Sequence, residues 1–159
     1  MEELYGVGFL GSRALFFEDV VVIYMALLPL LLGVSVWFAI KARYKTHRIT
    51  QMLLLLLTLV ALGSIQYDIH LYHTFDKLVD VSSYPSKEIF YLLMVQTFFS
   101  MLTFVMWSSN IIFAVADRKR RALPGLYSSS HIKSSRRLGV VIFLTVLLTI
   151  ALYWILYID

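Results

Sequence analysis

The segment IQYDIHLYHTFD, residues 65–76, ends a long apolar run with two histidines and two aspartates. On a helix, Gln66, His70 and His73 follow at i, i+4 and i+7, so one face carries three polar side chains. Polar and ionisable groups at membrane depth turn toward a bundle interior or a wet cavity, where they are paired. Neutral imidazole and carboxylate suit zinc, iron or copper, and this spacing points both rings one way. The candidate metal set is therefore His70, His73, Gln96, Asp68 and Glu18, with copper or another transition metal as the ion. Met94 and Met101, one heptad apart, offer soft thioethers for Cu(I), and equally serve as packing residues. The simpler reading makes His70 and His73 interfacial residues, hydrogen-bonded to water or to Asp68 and Asp76, with no metal. Cysteine is absent, which excludes disulfides, thiolate sites and haem attached through Cys-x-x-Cys-His.

Two further histidines, His47 in KARYKTHRIT and His131 in SSSHIKSSRR, precede apolar runs and sit among basic residues. Both are expected at the opposite membrane face, where they meet if their helices are neighbours. Haem between them, with nearby Arg and Lys beside its propionates, is one reading; contact with headgroups or a partner subunit is the other.

The elements that position these groups are membrane helices. Of the 159 residues, 60% are hydrophobic and only 15% charged, and the mean hydropathy is +0.79, far from a soluble domain. Four runs, about 20–40, 49–71, 89–116 and 138–158, are long enough to cross roughly 30 Å of hydrocarbon at about 1.5 Å per residue. The third is longer than needed, so it is tilted or projects from the lipid. No run alternates as a barrel strand would, and an open sheet cannot face lipid. Pro29 interrupts the first run and is expected to bend it. The amino terminus begins acidic and lacks a cleavage motif, so no signal peptide is expected; residues 1–17 read as an outer interfacial segment. The fold class is thus all-α: a polytopic integral membrane four-helix bundle.

Basic residues orient it. Apart from Arg13, Lys77 and Lys87, every Lys and Arg lies in the loops at about 41–48 and 117–137. By the positive-inside rule these loops are cytoplasmic and both termini lie on the outer side. Arg118, Lys119, Arg120, Arg121, Lys133, Arg136 and Arg137 are expected to rest on anionic lipid headgroups. Nucleic acid is not an expected partner, since the basic loop is tied to the membrane at both ends and has no recognition fold. Trp37, Tyr153, Trp154 and Tyr157 read as interfacial aromatics. No nucleophile elbow, phosphate-binding glycine loop, His-Glu-x-x-His or mid-depth charge pair is present, and enzyme activity is not expected.

The stretches KTHRITQMLLLLLTLVALGSIQYDIHLYHTF, EIFYLLMVQTFFSMLTFVMW and SSSHIKSSRRLGVVIFLTVLLTIALYWILYI resemble the CtaM/YozB-like family of small bacterial membrane proteins, linked to assembly of haem–copper terminal oxidases. The resemblance covers about residues 20–158 and implies that His47, His73 and His131 match the family's histidines, with His70 a neighbouring candidate. It departs in two places: Gln96 stands where relatives carry a histidine in the third helix, and residues 1–17 replace an additional helix. It implies a bacterial inner-membrane protein that helps assemble or stabilise a haem–copper oxidase or related redox complex. The alternatives are a structural accessory subunit without a cofactor and a haem-binding membrane cytochrome.

Overall fold

The computed structural model describes residues 8–71, 74–120, 123–125 and 128–158, with the side chains of residues 68–77 outside that description. Five α-helices follow in order: α1 Phe16–Ile40, α2 Tyr44–Leu71, α3 Thr74–Val81, α4 Ser86–Lys119 and α5 Ser128–Tyr153, the last continuing into a π-helical turn at Trp154–Ile158. Four of these helices are long and apolar enough to cross a membrane, and the protein is a multi-pass membrane bundle. The short α3 falls where a loop is expected; it packs on α2, α4 and the π-helical turn.

The long helices form a closed ring in the order α1, α2, α4, α5, with α4–α5 the most extensive seam and α2–α4 the loosest. Local chemistry sets their ends. Glu18 at the third helical position of α1 accepts the Leu15 N–H at 2.7 Å, satisfying a donor that the first turn leaves orphaned. At the other end Arg43 N–H reaches Phe38 C=O at 2.8 Å and Ala42 N–H reaches Ala39 C=O at 3.0 Å. That is a Schellman ending, with Ala42 at φ 57° in the place glycine usually takes. Pro85 precedes α4, and Arg118 and Lys119 in its last turn complement the negative end of the helix dipole. α1 runs through Pro29 as one helix.

All four helices outrun the hydrophobic runs that nucleate them. α5 begins ten residues early, at Ser128 rather than Leu138, because SSSHIKSSRR contains no glycine or proline to stop it. The apolar core has two parts. One, around Met25, Leu28, Leu54, Trp107 and Ile142, fills the middle; the other, around Val22, Ile89, Leu93, Leu152 and Leu156, fills the end where the described chain begins and finishes. Most outward side chains are large and apolar, Leu30, Leu56, Met101 and Phe113 among them, as lipid contact requires.

Candidate functional site

At the end where α1 starts, residues 8–15 form a strap across the bundle: Gly8 N–H bonds Ala14 C=O at 3.0 Å and Arg13 N–H bonds Tyr157 C=O at 2.8 Å. The strap delivers donors to Asp19, which is fully buried. Leu10 N–H donates to Oδ2 at 2.8 Å, Ser12 Oγ donates to Oδ1 at 3.3 Å, and the Tyr153 hydroxyl donates to Oδ1. Glu18, next in the chain, takes the Tyr157 hydroxyl at 2.6 Å. A buried carboxylate is tolerated only with such donors. Gly8 is required here, since a Cβ at that position would stand 2.5 Å from Asp19 Oδ2. Tyr153 and Tyr157 are thus buried carboxylate partners rather than interfacial aromatics, whereas Trp37 and Trp154 do face outward.

One layer deeper, Glu18 and Gln96 line the same small cavity, of about 20 Å³, with Thr149, Tyr153 and Tyr157; that is room for about one water molecule. Gln66 Nε2 donates to Gln96 Oε1 at 3.2 Å and to Thr97 Oγ1 at 2.9 Å. Gln96 Nε2 donates to Ser100 Oγ at 3.0 Å and Thr149 Oγ1 at 3.4 Å. Gln66 and Gln96 thus meet between α2 and α4. Asp68, His70 and His73 lie outside the described residues as far as their side chains are concerned. Among the described residues, no group of three or more His, Asp or Glu side chains converges on a point that would hold a metal. Met94 and Met101 are exposed on the outer surface of α4.

Gln96, Ser100, Thr103, Trp107 and Asn110 recur at heptad spacing on α4, and all five are buried. They continue the polar column toward the basic end. Thr103 and Thr145 hydroxyls pair at 2.8 Å across α4 and α5; Trp107 Nε1 donates to Gln51 Oε1 at 2.8 Å; Asn110 Nδ2 donates to Ser135 Oγ at 3.0 Å. Gln51 Nε2 in turn donates to Ser35 Oγ at 3.1 Å. Sequence reading misses this column because threonine, serine and tryptophan are common in membrane helices; the recurrence at 96, 100, 103, 107 and 110 is the signal that finds it.

Ser35 leads to the basic end. His47 Nδ1 lies 2.8 Å from the Ser35 carbonyl oxygen. A carbonyl only accepts, so in the neutral ring Nδ1 carries the proton and Nε2 keeps a lone pair. Although their helices α2 and α5 are diagonal in the ring, His131 is within electrostatic reach of His47 and of Asp117. Both rings are half-buried. In the same loop and helix ends, Arg118, Lys119, Arg120, Lys133, Arg136 and Arg137 are exposed, and Arg121 lies outside the described residues. The structure thus has Glu18, Gln66 and Gln96 at one end and His47 and His131 at the other, joined by a buried column of hydrogen bonds. Compared with family models, with curated proteins and with solved structures, the chain matches none.

Proposed function

We propose that this protein assists the assembly or stability of a respiratory haem–copper oxidase or related redox complex in a bacterial-type inner membrane, without being an enzyme itself. The observation that carries the reading is the histidine level at the basic end. His47 is held in one tautomer by the Ser35 carbonyl, with His131 within electrostatic reach and exposed cationic side chains on the neighbouring helix ends. A fixed Nδ1–H with a free Nε2 is the arrangement that histidine ligands of metals and haem adopt. The donor set fits haem: His47 and His131 would hold it, and Arg118, Lys119, Arg120, Lys133, Arg136 and Arg137 would offset its propionates on the cytoplasmic side. Bound haem would supply one-electron chemistry; the chain's own contribution is to orient the rings and exclude lipid from them. The resemblance of the three quoted stretches supports the same reading.

The second level is proposed as a place where a metal ion, copper first, is held or passed. Its ligands would be His70 and His73 with Asp68. Gln96 serves there as a hydrogen-bond hub, since both ends of its amide are engaged by protein groups.

Membranes from cells lacking the protein test the assembly role. Their haem–copper oxidase absorbance should fall, recover with the wild-type chain, and stay low with His47→Ala. Undiminished oxidase in the deletion strain overturns the proposal, and full rescue by His47→Ala removes the histidine level from it.

A further inference from the structure

Around the small cavity that Glu18 and Gln96 line, about 20 Å³ in volume, the side-chain donors are spent on other protein atoms. The Tyr153 hydroxyl donates to Asp19 and the Tyr157 hydroxyl to Glu18 at 2.6 Å. The Gln96 amide gives one proton to Ser100 and the other to Thr149. Thr149 gives its own to the Thr145 carbonyl at 2.9 Å. Glu18 has both oxygens acting as acceptors, one from Leu15 N–H and one from Tyr157, as an ionised carboxylate does. Among the described residues, the wall therefore turns only lone pairs and hydrocarbon toward an occupant.

That inventory selects the occupant's chemistry. A water has lone pairs of its own, and buried waters typically make about three hydrogen bonds; here it could donate two and receive none. An anion would face a carboxylate. A cation has no lone pairs to satisfy, and hard cations take oxygen ligands. Charge favours a cation as well. Asp19, beside Glu18 in the chain, is fully buried on neutral donors, so two carboxylates set a negative potential at this level. Buried charges are paired or coordinate metals. Size and ligand count then set the valence. Ca²⁺ takes about six to eight oxygens and Mg²⁺ keeps several waters. The cavity has room for about one water-sized particle, and five oxygen-bearing side chains line it.

We infer that this cavity binds one dehydrated monovalent cation, Na⁺ or K⁺, on Glu18, Gln96 and Thr149, tying α1, α4 and α5 together. The site uses no histidine, so its failure leaves the oxidase reading standing. The full chain in neutral detergent is melted under circular dichroism in sodium, potassium or choline chloride, at equal total salt so that screening is constant. Replacing choline by Na⁺ or K⁺ should raise the melting midpoint, by about 3–5 °C for each tenfold of ion above its Kd. Thr149→Val, which removes one oxygen at nearly unchanged volume, and Glu18→Gln, which removes the charge, should each leave the midpoint equal in all three salts. Thr149→Val serves alone if Glu18→Gln fails to fold. A wild-type midpoint equal in all three salts overturns the inference and leaves the cavity to water. An ion effect that survives Thr149→Val overturns it too, because the ion then binds elsewhere.

Discussion

Tyrosine hydroxyls in this bundle end on acceptors of different charge, and removing them one at a time measures what the buried carboxylates contribute. Tyr153 donates to Asp19, a carboxylate with no exposed surface. Tyr24 bonds only neutral oxygens: it donates to the Leu54 carbonyl at 3.1 Å and pairs with the Thr58 hydroxyl at 2.8 Å. The perturbation is the same, Tyr→Phe. In Tyr153→Phe, Asp19 keeps the Ser12 hydroxyl at 3.3 Å and the backbone N–H groups of Phe9 and Leu10, and the lost bond was to a charged group, worth about 1.5–3 kcal/mol. In Tyr24→Phe the lost bond is neutral and within the membrane, where about 0.6 kcal/mol is the average. Tyr153→Phe should therefore destabilise by about 2 kcal/mol and Tyr24→Phe by about 0.6 kcal/mol, a difference of roughly tenfold in the unfolding equilibrium. Equilibrium unfolding from mild detergent into SDS, followed by circular dichroism, measures both. A Tyr153→Phe loss no larger than that of Tyr24→Phe would refute the reasoning that Asp19 is a charged hub.

Three further outcomes follow from named contacts. Gln96→Leu removes the bonds from Gln66 and to Thr149. It should cost about 1 kcal/mol in the same assay at about 0.6 kcal/mol per interhelical bond, with an unchanged value showing the hub to be dispensable. Trp107→Phe breaks the donation to Gln51 and leaves a buried acceptor, so about 1–2 kcal/mol should be lost; Gln51→Leu in the same background should recover part of it. Ala42→Gly should raise stability by about 1 kcal/mol, because Ala42 holds φ 57°, a conformation that costs an L-residue about 1–2 kcal/mol. A destabilised Ala42→Gly would contradict the Schellman ending of α1.

The four spans were legible because bilayer thickness dictates run length, and no other element buries such runs. Helix ends were less so. Residues 128–137 are polar, and hydropathy assigns them to a loop, yet nothing in them breaks a helix; α5 simply projects beyond the lipid. Gln96 reads as a metal-set residue, and in the structure it takes the Gln66 amide instead, since an amide in hydrocarbon must find a partner. Tyr153 and Tyr157 were misread because the aromatic belt is a rule about position along the membrane normal. Their partners Asp19 and Glu18 lie 134 and 139 residues away in sequence, and only the strap and the π-helical turn bring them together. His47 and His131 were expected to meet if their helices were neighbours, which α2 and α5 are not. They instead approach across a diagonal, at the basic end of the bundle.

A haem titration of the purified chain, read by absorption, tests the central claim most directly. In mild detergent the wild-type protein should carry a Soret band, or develop one that saturates with added haem, and His47→Ala and His131→Ala should each abolish it. A colourless protein with no saturable band, or a band indifferent to both substitutions, would contradict a haem-contacting role for the histidine level and leave the bundle a structural partner of larger subunits.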